Sequence, residues 1–184
     1  MKLLTICSFA LLVIDMGAKA GLEIVTRQVL NYEAEAMYER AYEVIKGFEG
    51  EKLTAYVCPA GKQTIGVGLT IYPDGSPVEK GDTITQEQSR EIFFHYFENR
   101  CLPLVAGLNL NANQTIAVCS FIFNVGEGNW KNSTLRKKIV SHPDTMSIRD
   151  EFLKWIYATV DGAKVVLKGL ENRRKAEADL YFKR

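Results

Sequence analysis

The sequence predicts an α+β fold that is mostly helical and contains a small β-hairpin. Most of the chain has the apolar spacing that is typical of amphipathic helices. One region differs, because apolar and polar residues alternate through Leu53–Val57 and a returning strand is predicted at Thr64–Gly68. With 184 residues and 47% apolar side chains, the chain can form one domain with a real core, or two small lobes that share a helix.

Residues 22–48 are predicted to form the first helix, because their apolar side chains recur on one helical face. We expect this helix to end near Glu49-Gly50, since glycine tolerates the left-handed conformation that closes helices. The apolar face consists of Met37, Ala41, Val44, Ile45 and Phe48.

The predicted hairpin follows this helix directly. Pro59-Ala60-Gly61 lies between the two strands and has the composition of a tight turn. One carboxylate, Glu49, is therefore predicted at a helix end, facing a hairpin that carries the Cys58 thiol and the Thr64 hydroxyl. Three reactive groups would then surround a single bond.

Two capping patterns predict the next helices. Thr85 and Gln88 form a capping box ahead of a helix that ends before Leu102-Pro103, and Asn111 opens a helix that ends at Val125-Gly126. The second of these is apolar nearly all round, as expected for the central helix of a bundle. The first carries an aromatic stripe that we interpret as core packing: Ile92, Phe93, Tyr96 and Phe97.

The remaining third of the chain is predicted to be helical. Ser133 begins a short helix, Ser147 caps the next one, and residues 167–174 lead into the last. The apolar residues assigned to the latter two helices are Phe152, Trp155, Ile156, Leu180 and Tyr181.

The charge balance argues against nucleic acid as the main partner, because 23 Lys and Arg face 22 Asp and Glu. Residues 21–100 carry 8 basic and 13 acidic side chains, a net charge of −5, whereas residues 131–184 carry 13 and 7, a net charge of +6. This asymmetry fits either solvated helix faces or a basic lobe that approaches an anionic cell wall or membrane.

The chain has 4 cysteines and 2 histidines, too few and too scattered for a disulfide-rich scaffold or a zinc site. We therefore predict no metal and no cofactor, and we expect a monomer. The cysteines are Cys7, Cys58, Cys101 and Cys119.

The stretch from Phe48 to Gly68 resembles the phage-type lysozymes of glycoside hydrolase family 24. Their motif runs E-G-x-x-L-x-x-Y, then Asp or Cys, then a turn and T-I-G-x-G-H-T. By this resemblance Glu49 falls on the catalytic acid, Cys58 on the position usually held by Asp, and Thr64 on the Thr that helps to position the attacking water. One departure is that Leu69 replaces the family's His.

The resemblance continues through the helical part and covers roughly Ala41 to Phe182. Family motifs Q-x-x-A-L-x-S-F-x-F-N-x-G, S-T-L and W…G…G-L-x-x-R-R-x-x-E recur in order at similar spacing. The matching residues are Gln114, 120–126, 133–135, Trp155, Gly162, Gly169-Leu170, Arg173-Arg174 and Glu177.

The resemblance implies a lysozyme-like fold, in which a hairpin lobe and a helical lobe share a long helix and flank a cleft. It also implies a muramidase that cleaves the β-1,4 bond between N-acetylmuramic acid and N-acetylglucosamine in peptidoglycan glycan strands. The expected role is host cell lysis by a phage or prophage. Alternatives are a bacterial effector toxin or wall-remodelling muramidase, and an inactive protein that only binds the wall.

For the site, the resemblance implies that Glu49 acts as the acid, that Cys58 and Thr64 hold the water, and that the water attacks directly with inversion. Arg173 would lie near the acid, with a solvated helix arginine as the alternative. Phe123 and Ser133 would line the sugar cleft, although core packing suits Phe123 equally well.

Cys58 leaves several hypotheses open. An unperturbed thiol has a pKa of about 8.5, and a nearby Glu49 would raise it, so Cys58 would orient water rather than act as a strong base. It could instead be a small buried apolar residue. It could also be blocked by a disulfide with Cys101, Cys119 or Cys7, as the resemblance suggests for members released by thiol exchange.

We predict that residues 1–20 are an export signal and that residues 21–184 form the catalytic domain. A basic start at Met1-Lys2, an apolar run from Leu3 to Ile14 and the pattern Ala18-Lys19-Ala20 support this interpretation. The segment is either cleaved, so that the mature chain starts at Gly21, or retained as a weak anchor in transient contact with the membrane. A buried N-terminal element of a cytosolic fold is the third alternative.

Overall fold

The computed structural model describes residues 32–160 and 162–183. The predicted signal at residues 1–20, together with Cys7, lies outside these residues, as do residues 22–31 of the predicted first helix. The chain divides into two units, Met1–Met37 and Tyr38–Arg184. Residues 32–37 of the first unit are helical, and the second unit is described below. In the described ranges, no helix has both the length and the apolar character needed to cross a membrane.

The described residues contain seven α-helices and two antiparallel hairpins, together with a π-helical turn and a short 3-10 helix, Leu102–Leu104. The helices are α1 (32–49), α2 (Gln86–Tyr96), α3 (Ala112–Val125), α4 (Glu127–Asn132), α5 (Thr134–Ser141), α6 (Ser147–Leu153) and α7 (Lys168–Tyr181). The strands are β1 (Lys52–Val57) and β2 (Gln63–Gly66), then β3 (Tyr157–Val160) and β4 (Ala163–Val166). The mostly helical α+β prediction is confirmed.

The end of α1 lies where the sequence predicts it. The helix stops at residue 49, and Gly50 takes the left-handed conformation with φ 74°. Its N–H still donates to the carbonyl of Lys46 at 2.8 Å, which satisfies one of the last helical carbonyls. Ala41 and Ile45 of the predicted face are fully buried. Glu49 is therefore held on a terminus of fixed direction.

The predicted first hairpin is also confirmed. In the antiparallel ladder Tyr56 pairs with Thr64, so their side chains lie on the same face of the hairpin. The turn is closed by two hydrogen bonds, from Cys58 N–H to the Lys62 carbonyl at 2.9 Å and from Gly61 N–H to the Cys58 carbonyl at 2.8 Å. Because Cys58 lies two residues beyond Tyr56, it continues on that same face.

The predicted capping box at Thr85 forms, and Asn111, which was predicted to start the next helix, forms a capping box as well. Thr85 Oγ1 accepts a hydrogen bond from Gln88 N–H at 3.2 Å, and Asn111 Oδ1 accepts one from Gln114 N–H at 3.0 Å. The helices they open supply the core: α3 is buried from Gln114 to Ile122, and the aromatic stripe of α2 packs inside, apart from the partly exposed Tyr96. The chain after α2 continues as a π-helical turn, Phe97–Cys101.

Two predictions for the C-terminal third are wrong. Ser147 is the first residue of α6 rather than its cap; the cap position is Met146, which makes no side-chain cap hydrogen bond. That helix ends at Leu153, so Trp155 and Ile156 lie beyond it. The chain then forms the second hairpin, β3–β4, which was not predicted because all four β4 residues are exposed and leave no alternating apolar pattern.

The last helix packs along α3 and α6. Tyr181 is buried there as predicted, and its hydroxyl donates to the Pro143 carbonyl at 2.9 Å. This docking brings the first half of α7 next to the centre of α3, which positions the site described below.

Among the glycines of the first hairpin, Gly66 should tolerate substitution least. It has φ 62°, and a Cβ there would lie 2.9 Å from Ser89 Oγ. We expect Gly66→Ala to lower the free energy of unfolding by about 3 kcal/mol, from backbone strain plus the clash. Urea denaturation measures this change.

Gly75→Ala is the matched control, because Gly75 has φ 88° with nothing near its Cβ position. It should cost only about 1 kcal/mol. Equal losses for the two variants would show that the Ser89 contact does not constrain the hairpin.

Candidate active site

The structure brings Glu49 and Arg173 together. Glu49 is the last residue of α1 and its side chain is 28% exposed, whereas Arg173 lies on α7 and is 4% exposed. Arg173 Nη1 donates to Glu49 Oε1 at 2.5 Å. The alternative of a solvated helix arginine is therefore wrong, and the predicted neighbourhood of the carboxylate is correct.

Arg173 uses its other nitrogens to fix its own position. Its Nε donates to Glu177 Oε1 at 3.0 Å, and its Nη2 donates to the Ser120 carbonyl at 3.0 Å. The guanidinium also lies 4.9 Å from the centre of the Phe48 ring. One planar cation thus joins the end of α1, the middle of α3 and the helix it belongs to.

Glu177 and Arg174 complete a buried ionic cluster behind Arg173. Glu177 Oε1 accepts from the Ser120 hydroxyl at 2.7 Å and from Arg174 Nη2 at 3.1 Å. Burial raises the pKa of Glu177, and the charges of Arg174 and Arg173 oppose that rise. Burial also lowers the pKa of Arg174 to about 10, which leaves it charged at neutral pH. Sequence reasoning noted Glu177 only as a motif residue.

The thiol and the hydroxyl of the hairpin are also adjacent. A hydrogen bond from Thr64 lowers the pKa of the Cys58 thiol, and a second bond from the Lys62 backbone acts in the same direction. The Thr64 hydroxyl has one proton, and when it does not donate to Cys58 it donates to the Lys62 carbonyl, at 3.1 Å. The pKa of the Cys58 thiol is thus lowered, whereas a net rise was expected from a nearby Glu49, and the hydrogen bond from Thr64 is the largest cause.

Tyr56 is a member of this site that sequence reasoning did not assign. Burial raises the pKa of its phenol, and the charges of Cys58 and Glu49 raise it further. The phenol is therefore within electrostatic range of both Cys58 and Glu49. Its place in the E-G-x-x-L-x-x-Y motif was the available signal.

Phe123 lines a cavity of about 500 Å³ together with Leu69 and Ile92, and Glu49 lies outside that lining. Its ring is half-buried and meets the edge of Tyr96 with centroids 5.3 Å apart. Leu69, which replaces the family's His, is buried in this wall. The polar side chains of the cavity are Tyr72, His95, Tyr96, Asn99, Arg100, Glu127 and Thr70.

Ser133 lies apart from these groups and caps α5, so the predicted start of that helix is confirmed. Its hydroxyl accepts from Arg136 N–H at 3.0 Å and donates to the Trp130 carbonyl at 2.8 Å. The residue is buried, and both functions of its hydroxyl are occupied by backbone groups. This placement supports a capping role rather than a sugar contact.

The suggested disulfide partners of Cys58 within the domain are in the core. Cys101 and Cys119 are both fully buried, and the Cys119 thiol shares a hydrogen bond with the Cys101 thiol. Cys58, Cys101 and Cys119 are all free thiols in this structure. In the part of the chain that is described, no three His, Cys, Asp or Glu side chains are grouped to hold a metal.

A carboxyl group at a helix end and a hairpin that carries a thiol and a hydroxyl, on a mostly helical scaffold, fit a lysozyme-like glycoside hydrolase. The comparison with known families agrees, since the phage lysozyme family matches residues 46–177. The chain therefore belongs to the phage lysozyme family.

Individual relatives support the same assignment. The endolysin of Acyrthosiphon pisum secondary endosymbiont phage 1 is 37% identical over 149 residues, which cover 78% of this chain and 95% of that protein. The SAR-endolysin of Pseudomonas phage phiKMV is 36% identical over 132 residues, covering 70% and 78%. The solved endolysin of Escherichia coli O157:H7 phage FAHEc1 has a TM-score of 0.69 at 33% identity, covering 77% and 90%. The chain is thus an endolysin-type muramidase that hydrolyses peptidoglycan.

The lowered pKa of Cys58 can be measured by alkylation. The rate of reaction with iodoacetamide should rise at lower pH than for an ordinary thiol, because the thiolate is the reactive form. Thr64→Val should move this rise to higher pH, since the hydroxyl that stabilises the thiolate is removed. Thr54→Val, an exposed position on the same hairpin, is the control and should leave the curve unchanged.

Proposed function

We propose that Glu49 is the general acid that protonates the leaving oxygen of the glycosidic bond. The contact between Arg173 Nη1 and Glu49 Oε1 carries this proposal, because it fixes the carboxyl group at the helix end. It engages one oxygen and leaves Oε2 to carry the proton. The partial exposure of Glu49 lets a sugar oxygen reach that proton.

Cys58 and Thr64 would hold the attacking water. The lowering of the Cys58 pKa by Thr64 and the position of both residues on one hairpin face support a shared role. A thiolate accepts a proton from water more readily than a thiol, so the lowered pKa of Cys58 favours partial base character as well as orientation. The Thr64 hydroxyl can alternate between the thiolate and the Lys62 carbonyl as charge moves.

With acid and water-holding groups on separate elements, water would attack the anomeric carbon directly and invert its configuration. The bond proposed is the β-1,4 bond between N-acetylmuramic acid and N-acetylglucosamine. Phe123 would contact the glycan from the wall of the cavity, because its ring is only half-buried. Ser133 has no part in this proposal.

We further propose that the enzyme is exported, acts as a monomer in the periplasm and lyses the host of a phage or prophage. The relatives named as SAR-endolysins support export, as does the sequence of residues 1–20. The net positive charge of residues 131–184 would favour contact with an anionic wall.

Replacing the proposed acid should abolish catalysis without unfolding the enzyme. Glu49→Gln keeps the oxygen that accepts from Arg173 but removes the acid, so activity should fall by about 10³-fold or more. The measurement is the turbidity of permeabilised Gram-negative cells, with circular dichroism as a check on folding. Glu43→Gln, on the exposed side of the same helix, is the control and should stay fully active. Near-normal lysis by Glu49→Gln would contradict the role of Glu49 as the general acid.

The direct attack predicts a defined product. Proton NMR during hydrolysis of a soluble peptidoglycan fragment should show the α-anomer first, because a β-linked sugar is inverted. Initial formation of the β-anomer, or a sugar adduct on Cys58 in the mass spectrum, would mean a covalent intermediate instead.

A further inference from the structure

The ionic cluster behind Glu49 is more elaborate than a simple contact with Arg173 requires. Arg173 is bonded to carboxylates at two of its nitrogens, Glu49 through Nη1 and Glu177 through Nε. Glu177 is in turn bonded by Ser120 and Arg174, and it is almost completely inaccessible to solvent. Two carboxylates therefore share one guanidinium, one of them partly exposed at the reaction site and the other deep in the core.

Burying such a cluster is costly, because each charge loses its hydration and only good geometry compensates the loss. A hydrophobic core would stabilise α7 on α3 without that cost. The arrangement does, however, set the direction of the Arg173 guanidinium plane, since Nε and Nη2 are fixed by Glu177 and Ser120. The remaining nitrogen then points in one direction only, towards Glu49.

We propose that Glu177 is a positioning residue of the active site, which holds the guanidinium of Arg173 in the orientation that contacts Glu49. Glu177 touches no reacting atom and acts only through Arg173. This inference rests on the proposed role of Glu49 as the general acid.

The electrostatic effect has a definite sign. The charged and titratable groups around Glu49 are Arg173 and Arg174 from α7, and Tyr56 and Cys58 from the hairpin. While Glu177 is ionised, its negative charge offsets part of the positive charge that Arg173 and Arg174 exert on Glu49. Neutralising it leaves their charge to Glu49 alone, which favours loss of the proton that the acid must donate. The enzyme should then lose activity at lower pH than the wild type.

The test is Glu177→Gln, which keeps the size of the side chain and an oxygen that can accept from Arg173. Initial rates of dye release from labelled Gram-negative sacculi are measured across substrate concentration and pH. We expect kcat to fall about 10-fold, KM to change less than about 2-fold, and the alkaline limb of the kcat profile to move down by about one pH unit. If the Glu177→Gln variant loses only thermal stability and both limbs of its kcat–pH profile are unchanged, the positioning role is wrong.

Asp179→Asn is the matched control. It makes the same carboxylate-to-amide change on the same helix, but Asp179 is exposed and pairs with Arg149 at 2.6 Å on the surface. Its kcat profile should superimpose on that of the wild type. A shift equal to that of Glu177→Gln would mean that the charge of α7 as a whole, and not Glu177, sets the profile, which also overturns the proposal.

Ser120→Ala covers the case in which Glu177→Gln does not fold. It removes the hydroxyl that donates to Glu177 and that accepts a longer bond from Arg173 Nη2 at 3.4 Å, and it leaves the shorter bond from Arg173 to the Ser120 carbonyl in place. The alkaline limb should move in the same direction by a smaller amount, and an unchanged profile would contradict the proposal. The two proposals remain separable. An active Glu49→Gln enzyme would reject the role of Glu49 as the acid. An inactive Glu49→Gln enzyme, together with wild-type pH profiles for Glu177→Gln and Ser120→Ala, would reject only the positioning role of Glu177.

Discussion

The structure depends most on the guanidinium of Arg173. It bonds to the end of α1 at Glu49, to the backbone of α3 at Ser120 and to its own helix at Glu177. Because it is buried, these partners must all be present, since an unpaired buried charge typically costs about 3–5 kcal/mol. The chain therefore cannot separate the packing of its core from the placement of its acid. Stability and catalytic geometry are two results of the same contacts.

The accuracy of the sequence predictions follows the range of the interactions. The end of α1 at Gly50, the first hairpin and the capping boxes of Thr85 and Asn111 are local, and a few adjacent residues determine each. The burial of Arg173 depends on residues more than a hundred positions away, and periodicity alone left it open. The second hairpin was missed because short exposed strands carry no apolar alternation. The shift in the Cys58 pKa required the positions of Thr64 and Lys62, which only the folded turn provides.

The cysteine in place of an aspartate illustrates how a fold compensates for a chemical change. A thiol is a weaker acid than a carboxyl group, so less of it is ionised at neutral pH. Thr64 and the backbone of Lys62 partly offset this difference, because they lower the pKa of the thiol. Burial of Cys101 and Cys119 against each other separates their thiols from the exposed chemistry of the hairpin. The departure at Leu69 extends the apolar wall around Phe123 instead.

The second hairpin has a consequence for how the protein behaves in concentrated solution. Its sheet has only two strands, so each strand presents an open hydrogen-bonding edge, and Tyr157, Val165 and Val166 expose apolar surface beside it. Such an edge is a template for strand-to-strand association between copies. The ammonium of Lys164 lies 4.4 Å from the centre of the Tyr157 ring and places a charge on that surface. A charge at this place opposes the pairing of two such edges, so removing the charge of Lys164 would favour association between copies.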